Sequence, residues 1–348
     1  MYLDLLRAEI LKQREVYLAL KAGRKESVCY KSYRHPEFGT QDENYENRLR
    51  LAYYLLYEKE EDEEVIFWLF QEELIDRETN SFQGIGAALE ILTFLLAKYN
   101  TGHSYDAWFQ RAKNANFDCA CGYDPAIKMN DKFSDNDLLD CIYLCKDMGF
   151  RDVMELLVDL WKDSVAAWGD ADRESLIRFY TFLGKEEENE MLYLEQLSSA
   201  KRTGKLRDTV QAYNRLIRHY LVLGQCAAAH GCLDEARELA EDTEIHGLHP
   251  LGDLLEEAFE IICQERAAAE GGIAAEKSIA VACPGRDDTK TEELWEWAKA
   301  KFTNGTEWYG NLYIKRIAAA KAMKDPDSVK FDKEYGDWCK KVGIKKRG

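Results

Sequence analysis

Apolar positions in the first twenty residues fall at Leu3, Leu6, Ile10, Tyr17 and Leu20. Asp4, Arg7, Glu9, Lys12, Arg14 and Glu15 lie between them. This is the spacing of a helix with one buried face. The pattern breaks over 23–42, where Gly23, Pro36 and Gly39 occur. It resumes at 44–59, 62–76, 81–99 and 104–115. A second irregular stretch, "FDCACGYDPAIKMNDKF", covers 117–133. Ser134, with Asp137 three residues on, predicts a capping-box start for the next helix.

From there the rhythm is regular. Helices are predicted over 135–148 and 151–167, 171–183 and 186–203, and 206–223 and 226–243. Gly149, Gly184 and Gly224 stand at the bends, because glycine takes the left-handed conformation that ends a helix at little strain. Further helices are predicted at 251–270, after Thr289, at 308–324 and at 327–341. A Gly/Ala/Pro-rich loop fills 271–288. No stretch shows convincing strand alternation, and "SIAVAC" (278–283) is the one short candidate. The bends also carry an echo: "LIRFYTFLG" (176–184) returns as "LIRHYLVLG" (216–224). Helix pairs recurring at 35–40 residues mark a helical array.

In "HYLVLGQCAAAHGCLDEARELA", Tyr220, Leu223, Gly224, Gly231, Ala236 and Ala240 fall near positions that tetratricopeptide-like (TPR-like) repeats fill with aromatic, Leu, Gly and small residues. Ala227 departs from the Tyr usual there. "GKLRDTVQAYNRL" (204–216) resembles the second half of such a unit through Gly204 and Tyr213. Taken together these two matches would place turns at 204 and 231 and make 206–230 one helix, so the pairing with Gly224 as the turn is preferred. The resemblance covers about 135–243. It implies an all-α fold, a right-handed superhelix of stacked antiparallel hairpins, with a concave surface for a protein or peptide. Three regions are expected: 1–133, a repeat region 134–270, and 289–348 with a basic tail, with one continuous superhelix as the alternative.

Composition narrows the partners. Charged residues make up 32% of the 348, against about a quarter in ordinary domains, and the net charge is −17. Residues 291–348 hold 13 Lys/Arg and 9 Asp/Glu, so the acid excess lies in the rest. A general nucleic-acid binder needs clustered cations, so none is expected. No run of about 18 apolar residues suggests a membrane span, and the N-terminal segment is too charged for a signal peptide. Ten cysteines scattered through helices favour a reducing, cytoplasmic setting with free thiols.

Chemical constellations are sparse. Cys119 and Cys121 with Cys141 and Cys145, the latter pair four apart on one predicted helix, could supply four thiolates to zinc; small buried thiols are the simpler reading. Gly84-Ile-Gly86-Ala-Ala88 lacks the third glycine and the preceding strand of a nucleotide loop, so close packing accounts for it. "EKEEDEE" (58–64) reads as a solvated turn and helix start. Arg24, Lys25, Lys31, Arg34 and His35 alternate with Tyr30, Tyr33 and Phe38; an ordered surface loop is favoured over a base-stacking site. A second basic band runs through Lys201, Arg202, Lys205, Arg207, Arg215, Arg218 and His219.

The expectation is therefore a non-enzymatic helical-repeat protein that holds a protein or peptide in a groove, without a cofactor. Arg178, Arg218 and Arg215, with Tyr180 and Tyr220, are the groove candidates. An acidic immunity protein neutralising a basic toxin is the first alternative. A zinc-binding or all-α enzyme centred on the four cysteines is the second.

Overall fold

The computed structural model describes residues 1–35, 39–80, 84–241, 248–269, 288–304 and 308–346. Sixteen α-helices and one two-stranded ribbon make up the regular structure among them, so the fold is all-α with little sheet. "SIAVAC", the 271–287 part of the predicted loop, Pro36 and Phe38 lie outside the described residues. The chain divides into two compact units, Met1–Ala167 and Trp168–Gly348.

The first unit contains α1 (Tyr2–Lys21), β1 (Ser32–His35), β2 (Gly39–Asp42), α2 (Tyr45–Tyr57), α3 (Glu63–Thr79), α4 (Ala87–Ala97), α5 (Asp106–Lys113), α6 (Phe117–Gly122), α7 (Leu138–Asp147) and α8 (Arg151–Ser164). Helices α2, α3 and α4 pack on one another through Leu51, Leu55, Leu69, Phe70, Leu92 and Leu96, all buried. Each such side chain contributes about 1.5–3 kcal/mol when removed from water. The pair α7–α8 packs on α1 and so belongs to this unit.

The second unit contains α9 (Asp170–Leu183), α10 (Asn189–Thr203), α11 (Leu206–Val222), α12 (Cys226–Glu241), α13 (Leu248–Ala269), α14 (Asp288–Asn304), α15 (Gly310–Ala322) and α16 (Ser328–Val342). Consecutive helices pack from α9 to α14, and α15 packs on α16. In addition α11 lies against α13, and α13 against α15. Val210, Ile217, Leu233, Leu255, Phe259, Ile262, Leu294 and Leu312 fill one continuous core. This arrangement is compatible with a helical repeat.

The bends are closed as the glycines predict. Phe150, Lys185 and Gln225 each donate their N–H to the carbonyl five residues back, on Cys145, Tyr180 and Tyr220, at 2.8–2.9 Å. Gly149, Gly184 and Gly224 take φ of +66°, +67° and +68°. This Schellman closure satisfies carbonyls that a helix end leaves without partners. Gly231 lies inside α12, so the repeat register that makes it a turn is overturned, and Gly224 is the bend.

Four local expectations change. The segment around 32–42 forms an antiparallel ribbon pairing Tyr33 with Gln41 and Arg34 with Thr40, where no strand was expected. Its strands are four residues long, too short to display alternation, and β1 is mostly exposed. The irregular stretch after 117 opens with α6, capped by Asn116 accepting the Cys119 N–H at 2.9 Å. The capping box of α7 uses Asp137 and Asp140, not Ser134, which sits in a preceding 3-10 turn. Helix α13 begins at Leu248, leaving Pro250 in the first turn, where its missing N–H breaks no intrahelical bond.

The acidic run at 58–64 starts α3. Asp62 accepts the Val65 N–H at 3.2 Å, the Tyr17 hydroxyl at 2.8 Å and the Lys21 ammonium at 2.9 Å. Burial works against its charge, but these donors outweigh it and hold the carboxyl below its ordinary 3.8.

Two predictions follow from these ends and caps. Gly184 has a positive φ with open space around it, so Gly184→Ala loses about 1 kcal/mol from backbone strain alone. Gly231, in helix with open space, gains about 0.5–1 kcal/mol on change to Ala. Urea unfolding midpoints moving the same way for both would overturn the assignment. For Asp62, a folded pKa below the unfolded one gives stability that is full above pH 3.8 and lost as pH falls below it. Asp62→Asn keeps a capping oxygen but not the titration. Its melting temperature should therefore sit below wild type at neutral pH and converge with it below about pH 4.

Candidate functional site

The echoed segments occupy equivalent places. Leu176 and Leu216, Ile177 and Ile217, Phe179 and His219, and Tyr180 and Tyr220 are all buried. The candidate tyrosines are thus core residues; the Tyr220 hydroxyl donates to Glu190 at 2.8 Å. Of the candidate arginines, Arg178 is exposed on α9. Arg215 reaches back to Glu174 on α9 at 2.9 Å. Arg218 pairs with Glu257 on α13, a buried carboxylate whose pKa burial pushes up while Arg218 opposes it. Beside Glu257, Glu256 accepts from Tyr309 at 2.6 Å and Asn311 at 2.9 Å, and pairs with Lys315 at 3.1 Å. Arg215 and Arg218 therefore tie α9 to α11 and α11 to α13. His219, from the basic band, is buried against Tyr193, and burial lowers its pKa.

The four candidate cysteines do not converge. Cys119 is buried in α6 with its thiol 3.8 Å from the Gly84 carbonyl, while Cys121 is exposed. Cys141 and Cys145 are buried in α7, where burial pushes their thiols up to about 11 and about 12. Among the described residues no three His, Cys, Asp or Glu side chains are gathered in a metal-holding arrangement.

The unusual chemistry lies elsewhere, in the first unit. Arg48, on α2, has no exposed surface. Its guanidinium meets Asp42 at the end of β2 at 2.6 Å and Glu73 on α3 at 2.9 Å, and donates to the Val28 carbonyl at 3.3 Å. Arg77, one turn further along α3, pairs with Glu73 at 3.2 Å and with Asp76. Asp42 also accepts the N–H groups of Lys31 (2.8 Å) and Asn44 (3.1 Å). Three carboxylates thus face two guanidiniums. Burial raises the Glu73 pKa, Arg48 and Arg77 oppose this, and Asp76 adds to it, leaving it above the ordinary value. Burial works against the charge of Arg48, but Glu73 and Asp42 more than restore it.

Gly86 makes this packing possible. A Cβ there would sit 3.0 Å from Arg77 Nη1 and 3.2 Å from Glu73 Oε1, and φ is +82°. The Gly84 carbonyl accepts from Arg77 at 3.4 Å and from Asn116 at 3.1 Å. The glycine pair thus admits a buried arginine, where close approach of a helix was the expectation. Arg77 and Asp42 form the inner wall of a cleft of about 620 Å³, closed by Tyr33, Gln41, Glu43, Tyr45, Glu46, Asn80, Gly84 and Gly86. The Arg77 guanidinium lies 5.4 Å from the centre of the Tyr45 ring.

Sequence reasoning passed over Arg48, Glu73, Asp76 and Arg77. The signal was present: Glu73 and Arg77 continue the stripe of Ile66, Leu69 and Phe70, where a solvated charge does not belong. A charge on an apolar stripe demands an opposite charge on the facing element. No protein-family model and no curated protein matches the chain.

Removing one partner of a buried pair leaves the other uncompensated, at about 3–5 kcal/mol. Arg48→Met should therefore lower stability by that order in thermal unfolding. Adding Glu73→Gln should recover part of the loss. A single substitution as mild as an exposed one would show that the cluster carries no structural weight.

Proposed function

We propose that the chain is a non-enzymatic binding protein, a TPR-like right-handed superhelix of helix hairpins whose occupant is a basic protein or peptide. The observation that carries this reading is the equivalence of 176–184 and 216–224 in burial and turn closure, joined to the packing of α11 on α13 and α13 on α15. Hairpins stacked through alternate helices present an extended surface. The acid excess supplies the partner's sign: residues 1–167 hold 20 Lys/Arg and 31 Asp/Glu, and the whole chain carries −17. Such a charge steers a cationic partner and speeds encounter. Neutralisation of a basic toxin, as an immunity protein does, is the particular case that this charge favours. Exposed Arg178 remains the one candidate arginine available to a ligand in the helical layer, since Arg215 and Arg218 hold neighbouring helices.

Capture from native lysate with the tagged chain, followed by mass spectrometry, tests the reading. The expected partner is basic and is eluted by raising salt from about 0.15 M toward 1 M, where screening shortens from about 8 Å to 3 Å. Partners without basic character, or retention indifferent to salt, would overturn it.

A further inference from the structure

We infer that the cleft between the β1–β2 ribbon, α2 and the end of α3 takes a lysine or arginine side chain from a basic peptide, an inference that rests on the proposed basic partner. The cross-strand pair Tyr33 and Gln41 places both side chains on one face of the ribbon. Tyr45 and Glu46 open α2, Arg77 and Asn80 come from the last turn of α3 and its cap, and Gly84 and Gly86 leave one wall without side chains. At about 620 Å³ the cleft has the size of a ligand site.

Its chemistry selects a cation. The charged lining is Asp42, Glu43, Glu46 and Arg77; Asp42 is committed to Arg48, and Arg77 to Glu73 and Asp76, so the charges left at the surface of the cleft are those of Glu43 and Glu46. An anion would have to break that buried pairing. A cation meets carboxylates instead. Glu43 is held by Lys31 at 2.5 Å in an exposed pair, so an incoming ammonium or guanidinium can replace that cation at little loss, and the exposed Glu46 carboxylate, held by the partly buried Arg50 at 3.0 Å, stands beside it. Asp42 is buried, paired with Arg48 at 2.6 Å and fixed by two backbone N–H groups, so it anchors the floor of the cleft and leaves the exchangeable charge to Glu43 and Glu46. Two tyrosine rings complete the lining, and aromatic faces attract cations. The hydroxyl of the partly buried Tyr45 makes no hydrogen bond to the described residues and is open to a ligand. An N–H of the bound cation would donate to it.

The test is fluorescence anisotropy at about 0.15 M salt with a labelled peptide of alternating glycine and lysine, and a norleucine counterpart as the uncharged control. Three proteins are compared with wild type: Glu43→Gln/Glu46→Gln, Tyr33→Ala, and the remote exposed pair Glu187→Gln/Glu188→Gln. All these positions are exposed, and circular dichroism confirms that each variant is folded. The two cleft variants should bind the lysine peptide about fivefold more weakly or worse, while the remote pair changes it less than about twofold. Equal losses in both glutamate pairs, or undiminished binding by Tyr33→Ala, would overturn the cleft and leave the basic-partner reading standing. Wild-type protein that ignores the lysine peptide, or binds the norleucine peptide as well, would overturn both.

Discussion

A guanidinium removed from water has to be matched on the spot, and Arg48 is such a group. Its partners come from three separate places: Asp42 at the end of the ribbon, Glu73 and Asp76 on α3, and the carbonyl of Val28 before β1. The ribbon in particular has little buried surface of its own, and Asp42 is the buried position of its two strands. The geometry of the cleft follows from this one demand. Arg77 is drawn into the same set of acids, Gly86 leaves room for it, and the tyrosines close over the result.

The second unit solves the same problem of joining helices by a different division of labour. Its interior is aliphatic and aromatic from Val210 to Cys339. Charged groups are kept to the margins of the helix contacts, where Arg215 meets Glu174 and Lys315 meets Glu256. Pairs so placed add little energy but discriminate among sliding registers, because a one-turn shift would separate each arginine from its acid. Glu257, buried and paired with Arg218, and Arg316 are exceptions: Arg316 lies among Phe302 and Phe331, with its guanidinium 3.6 Å from the Phe331 ring centre and 2.8 Å from Glu334.

Much of this fold could be read from residue order. Gly149, Gly184 and Gly224 gave the bends because a positive φ is a local requirement with a local solution. The apolar stripes of α9 and α11 gave the buried faces for the same reason. The ribbon escaped because pairing between 32–35 and 39–42 is made by backbone groups, which every sequence possesses. The α7 cap was displaced by three residues because both Ser134 and Asp137 can cap, and only packing chooses between them. The cleft was illegible for a further reason: Tyr33 and Tyr45 on one wall and Arg77 and Gly86 on the other are far apart in the chain, and proximity between such positions is a property of tertiary packing. The groove candidates illustrate the converse. Arg218 looked free in the sequence because Glu257, its partner, lies 39 positions away.

The same six-residue closure recurs beyond the echoed bends, at Arg24 onto Ala19, Glu60 onto Leu55, Asp325 onto Ala320 and Ile344 onto Cys339. Lys59 and Lys324 adopt the left-handed conformation there without being glycine. Reversal of the chain is therefore written into short independent segments, and the entropy lost in closing each is small. Much of the contact map is correspondingly near in sequence, which is the topology of fast folding. A hairpin of this kind can form while later parts of the chain are still being synthesised, and its bend does not wait for a distant partner.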